Sequence, residues 1–98
     1  MLSAHYQNDR LIREKMIQHI GEGKVVRTVR WDRGHPNGAE LHRITDTGII
    51  IIYNERTLKL VTKIIARPNQ IRRYWKDGKA PIEIVNKAIE HARNGQCI

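Results

Sequence analysis

The sequence predicts an α+β domain: an N-terminal helix, about four strands of a twisted antiparallel sheet, and a C-terminal helix. Three observations predict it. Apolar residues recur at helical spacing near both ends, as in Ile12, Met16 and Ile20. The stretch between them alternates with period two and is broken by short turns of Gly, Asn and Asp. Ile49-Ile50-Ile51-Ile52 lacks that alternation, which marks a central strand covered on both faces. At 98 residues, the chain forms a single domain, 1–98.

Asn8 or Asp9 caps a first helix running to about Ile20, and Gly21 supplies the C′ stop. Ile17 widens its apolar stripe, so the helix should lie on a sheet. A first strand from Lys24 to Trp31 would send Val25, Val29 and Trp31 to the core, with Arg27 the odd member of that face. The segment 32–38 (DRGHPNG) reads as a loop. A second strand, Ala39 to Thr45, sets Leu41, Arg43 and Thr45 against His42 and Ile44. Asp46-Thr47-Gly48 turns it into the isoleucine strand, and Asn54-Glu55-Arg56-Thr57 turns again into a basic strand, Leu58 to Ala66. Pro68 ends that strand, and Gln70 to Trp75 suits a short helical turn. Pro81 opens a final helix to about Arg93, closed by Asn94-Gly95, with Ile82, Val85, Ala88, Ile89 and Ala92 on its apolar face.

The charge narrows the function classes. Eighteen Lys plus Arg against ten Asp plus Glu give a net charge of +8. Such an excess attracts nucleic acid, anionic membrane or an acidic protein. No apolar run approaches the roughly 20 residues that span a bilayer, and the polar N-terminus lacks a signal-peptide core. A lone Cys97 excludes an internal disulfide, so the expected setting is a reducing cytoplasm.

The segment from Arg56 to Lys76 carries seven cations and no acid. On a strand, Lys59, Lys63 and Arg67 would share one face, spanning about 26 Å at roughly 3.3 Å per residue. The bland reading of that row is a solvated face guarding a sheet edge. Arg72, Arg73 and Lys76 extend the charge beyond the strand, which favours nucleic acid, and Tyr74 among them is placed to stack on an unpaired base. Trp31 and Trp75 are the other aromatics able to stack on a base, but Trp31 is expected in the core, where a small domain without Phe needs its volume.

Motifs for phosphate-cradling loops, metal ligation and Ser-His-Asp catalysis are missing, and the five histidines are scattered. No cofactor or metal is therefore expected. RNA cleavage asks for less, because the ribose 2′-hydroxyl is the nucleophile. The protein must move two protons and stabilise charge on phosphorus. Arg43 and Arg67 are the candidates for the scissile phosphate, with Lys63 as added charge. His35 or His42 is the proton-transfer candidate. His42 and Arg43, as strand neighbours, point to opposite faces, and a half-buried structural histidine is the competing reading of His42.

The stretch GKVVRTVRWDRGHPNGAELHRITDTGIIIIYNERTLKLVTKIIARP, followed by Tyr74-Trp75, resembles in layout the tRNA-cleaving colicin nuclease domains. These belong with barnase-, EndoU- and RelE-like RNases in one α+β superfamily. The resemblance covers roughly half the chain and excludes the helix after Pro81. It implies metal-independent endoribonuclease activity, an immunity or antitoxin partner, and RNA rather than DNA as ligand. The compact basic form also resembles small phage or mobile-element proteins. A non-catalytic nucleic-acid-binding protein, or one whose basic face meets an acidic partner, is the alternative. The isoleucine strand leaves a homodimer open if helices cover only one sheet face.

Overall fold

The computed structural model describes residues 10–34 and 36–97, with side chains over 11–34 and 36–94. Asn8, Asp9 and His35, named above as a cap and a loop histidine, lie outside the described residues. Helix α1 (Arg10–Ile20) leads into strands β1 (Val25–Trp31), β2 (Glu40–Thr45), β3 (Ile49–Asn54) and β4 (Leu60–Ile65). A short helix α2 (Pro68–Arg72), a 3₁₀ turn (Lys76–Gly78) and helix α3 (Ile82–Cys97) complete the chain. The sheet is open and antiparallel, in the order β1-β2-β3-β4. The α+β expectation holds.

The isoleucine strand does what its lack of alternation predicts. Ile50 and Ile52 face one side, where they join Ile44, Ala66 and Ile71 with Ile84, Val85 and Ala88 of α3. Ile49 and Ile51 face the other, under Ile17 and Ile20 of α1. Both helices are needed because a strand apolar on both faces must be buried on both. The first face, carrying α2 and α3, is called the α3 face here, and the other the α1 face.

Side-chain polar groups fix the ends of these elements. Gly21, at φ +83, takes the left-handed conformation that ends α1, and its N–H donates to Ile17 O at 2.8 Å. The β2–β3 turn is locked by a run of hydroxyls. Thr45 Oγ1 lies 2.9 Å from Thr47 Oγ1, and Thr47 Oγ1 donates to Glu22 O at 2.8 Å. His91, buried on α3, donates from Nε2 to Thr47 O at 2.7 Å, so α3 is pinned to the hairpin. Asn54 Oδ1 accepts from the backbone N–H groups of Arg56 and Thr57 and closes the turn into β4.

Four local expectations are corrected. Val25 is 46 % exposed, because a register shift between Val25 and Arg27 breaks the alternation that put it in the core. The basic strand is shorter than Leu58 to Ala66: Leu58 sits at φ +59 in the turn, and Arg67 is the N-cap of α2. On α3 the buried positions are Ile84, Val85, Ala88 and His91, while Ile82 is exposed. That helix also runs on through Asn94-Gly95 to Cys97.

Candidate nucleic-acid interface and proton-transfer site

Strand alternation assembles the site. His42 lies opposite Val29 on β1 and Ile52 on β3, and Glu40 lies opposite Trp31, so Trp31, Glu40 and His42 share the α3 face. Ile71 anchors α2 in the core, and the chain leaving α2 lays Tyr74 and Trp75 on that same face. Three rings then pack together. Trp31 stacks on His42 with centroids 5.3 Å apart and planes 16° apart. Tyr74 lies 5.6 Å from Trp31 and 5.7 Å from His42, tilted against both.

A polar chain runs through this cluster. His42 Nδ1 is 2.6 Å from the Tyr74 hydroxyl, and His42 Nε2 is 3.2 Å from Glu40 Oε1. A carboxylate only accepts, so Nε2 carries a proton. In neutral His42, Nδ1 then accepts from the Tyr74 O–H. In the imidazolium form both nitrogens donate, and the Tyr74 O–H is freed to point away from the ring. His42 is buried, Glu40 and Tyr74 half-buried. Burial pushes the Tyr74 hydroxyl above the usual tyrosine range, with Arg73 opposing, Glu40 adding and Arg33 opposing. Tyr74 thus keeps its proton at neutral pH, and as a weak acid it gives that proton up only to a strongly basic atom such as a departing alkoxide oxygen.

Cations frame the rings. The Arg33 guanidinium lies 4.9 Å over Trp31, and that of Arg27 lies 5.3 Å over Trp75. Neither these two nor Arg72 and Arg73, all exposed, has a carboxylate partner among the described residues. The α3 face therefore presents a ridge of Arg27, Trp75, Tyr74, Trp31 and Arg33.

The residues named from sequence divide between surfaces. His42 and Tyr74 meet, with Arg72 as the last residue and Arg73 as the C-cap of the helix that delivers Tyr74. Lys76, exposed, follows in the 3₁₀ turn. Arg43 does not join them. It sits on the opposite side of the sheet with its guanidinium 4.8 Å over Tyr53. Arg67 leaves the sheet beside Gly48, whereas His42 faces Ile52, four residues along β3, or about 13 Å at roughly 3.3 Å per residue. The Lys59-Lys63-Arg67 row does not form on one strand face. Lys59 precedes β4, Arg67 follows it, and Lys63 is ion-paired with Glu22 beneath α1. Trp31, expected in the core, lies half-buried on this ridge instead, and Arg27, Glu40 and Arg33 were not among the sequence candidates. Their signal is the i, i+2 spacing, which puts Glu40 beside His42 and Arg33 beside Trp31.

Among the described residues no three His, Cys, Asp or Glu side chains gather as a metal site would require, and no helix is long and apolar enough to cross a membrane. Comparison with protein-family models, with curated proteins and with solved structures finds no match.

Proposed function

We propose that the protein binds single-stranded RNA on the ridge of Arg27, Trp75, Tyr74, Trp31 and Arg33, and cleaves it by 2′-hydroxyl attack with Tyr74 as proton donor. The observation that carries the reading is the 2.6 Å contact between Tyr74 Oη and His42 Nδ1, within a surface whose arginines have no acidic partner. The phosphate backbone supplies the charge those arginines lack. Bases stack on the exposed parts of Trp31 and Tyr74, at about 1–3 kcal/mol per base. In the cleavage step the 2′-hydroxyl gives its proton to solvent water as its oxygen attacks phosphorus, Tyr74 protonates the departing 5′-oxygen, and His42 passes its Nδ1 proton to the phenolate and regains one from solvent afterwards. Glu40 holds the imidazolium beforehand. Arg33 and Arg73 offset the charge that builds on the phosphorane.

The resemblance to colicin- and RelE-like RNases and the chain's charge support the choice of RNA. The site residues differ from those first named: Arg43 and Arg67 give way to Arg33 and Arg73. A second reading, a nucleic-acid-binding protein without cleavage, is favoured by the burial of His42 with both ring nitrogens engaged. Labelled tRNA and mRNA incubated with folded protein at low salt separate the readings. The proposal expects binding and products ending in 2′,3′-cyclic phosphate. Binding with intact RNA supports the second reading, and neither binding nor cleavage sinks both.

A further inference from the structure

Arg30 lies between the ridge arginines Arg27 and Arg33 in sequence but faces the other way. It is opposite Leu41 on β2, and Leu41 is opposite Tyr53 on β3, so Arg30 belongs to the α1 face. There its Nε donates to Glu55 Oε2 at 2.5 Å, and its Nη1 lies 3.4 Å from Asp32 Oδ2. Two carboxylates therefore meet this cation, which leaves it little charge for a phosphate. Both side chains of the Arg30–Glu55 pair are well exposed to water, so the pair adds little to stability. Its position gives it a different use.

Three contacts tie the segment between β1 and β2 to the turn that follows β3. One is the Arg30–Glu55 pair, which reaches across β2. In the second, Glu55 N–H donates to Ala39 O at 3.0 Å. In the third, Asn54 Nδ2 donates to Asn37 O at 2.9 Å. Asp32 continues the chain. Its Oδ2 faces Arg30, while its Oδ1 accepts from Gly34 N–H at 3.0 Å and closes a turn around Arg33. That turn directs the Arg33 guanidinium to its place 4.9 Å over Trp31. A cation–π contact at an exposed site is weak and does not fix a loop unaided. Glu55 thus holds Arg30, Arg30 holds Asp32, and Asp32 shapes the turn at Arg33.

We infer, resting on the reading of the ridge as the RNA site, that the turn after β3 latches Arg33 over Trp31 from the back of the sheet, with Arg30, Asp32 and Glu55 as positioning residues. The latch lies on the α1 face and RNA on the α3 face, so it acts on RNA only through Arg33. The sign of its effect separates it from charge alone. Glu55→Gln leaves nine acids in place of ten, takes the net charge from +8 to +9, and frees Arg30. By charge alone, that strengthens attraction to a polyanion. Loss of the latch weakens RNA binding instead, by about two- to fivefold, the range over which an exposed ion pair biases a loop. Glu83→Gln makes the same charge change at an exposed position of α3 and should not weaken binding.

In a Trp75→Phe background Trp31 is the sole tryptophan, and its quenching by acrylamide, an uncharged probe, reports how far its ring is covered. Arg33→Ala should raise the quenching constant. Glu55→Gln and Arg30→Gln should each raise it too, with unchanged circular dichroism. Adding Glu55→Gln to Arg33→Ala should change nothing further, because the latch acts through Arg33. With Trp75 restored, RNA affinity by anisotropy should fall in Glu55→Gln and not in Glu83→Gln. Trp31 quenching that Glu55→Gln and Arg30→Gln leave unchanged overturns the inference. So do an RNA affinity that rises in Glu55→Gln as in Glu83→Gln, and effects of Glu55→Gln and Arg33→Ala that add. A wild type that binds no RNA sinks the functional reading alone, since the quenching comparison judges the latch without RNA.

Discussion

Removing one oxygen from Tyr74 separates the structural and chemical roles of the polar chain. Tyr74→Phe keeps the ring against Trp31 and His42, 5.6 and 5.7 Å away, so the stacking surface survives. What is lost is the 2.6 Å bond to His42 Nδ1. His42 is 7 % exposed, so water does not readily replace the missing partner. An unsatisfied buried acceptor costs about 1–3 kcal/mol, and the half-buried position of Tyr74 places this case near the lower end. For a domain of this size each kcal/mol lowers Tm by about 4–8 °C. The variant should therefore melt roughly 4–12 °C below the wild type and remain folded at room temperature. Its RNA affinity should stay within a few-fold, since the cations and rings are intact. Cleavage should fall by about 10²-fold or more, the usual contribution of a positioned proton donor. Thermal melts by circular dichroism, filter binding and a gel assay on one preparation read all three. Unchanged melting refutes the hydrogen bond as an energetic link, and cleavage within threefold of wild type refutes Tyr74 as the acid.

The same hydroxyl predicts a pH effect on stability. Its pKa is raised in the folded protein, so folding favours the neutral phenol. That contribution is present below the unfolded value near pH 10 and is lost as pH rises through the folded value. Alkaline melting curves of the wild type should therefore drop more steeply above pH 10 than those of Tyr74→Phe. Arg33→Ala and Arg73→Ala should each lower the slope of log affinity against log salt by about 1, measured from titrations at several salt concentrations. An unchanged slope places the phosphates elsewhere. Ile50→Ala empties a fully buried position between Ile44 and α3 and should cost about 2–5 kcal/mol in urea unfolding.

The fold was legible because burial imposes periodicity. Ile49–Ile52 announced a strand covered on both faces, and Gly21 and Asn54 announced a stop and a turn that the structure contains. Where it was not legible, a register shift or a cap intervened. The shift between Val25 and Arg27 exposes Val25, and the positive φ at Leu58 shortens β4. Both depend on pairing between strands, which one strand's pattern does not encode. Of the candidate site, the histidine and tyrosine were visible as residue types. Their meeting was not, because it depends on how α2, held by Ile71, carries Tyr74 back across 32 positions to His42. The cation row failed for a related reason: Lys63 is claimed by Glu22, distant in sequence by 41 positions.

Trp31 and Trp75 are the only two tryptophans in the chain, and both lie on the ridge assigned to RNA. Intrinsic tryptophan emission, followed while a short unstructured RNA is titrated at low salt, therefore tests the assignment most directly. Saturable quenching is expected, tracking binding measured by anisotropy, weakening with added salt and reduced in Arg33→Ala. RNA binding that saturates by anisotropy while the emission stays unchanged would contradict it, and would move the interface to the α1 face around Arg43 and Tyr53.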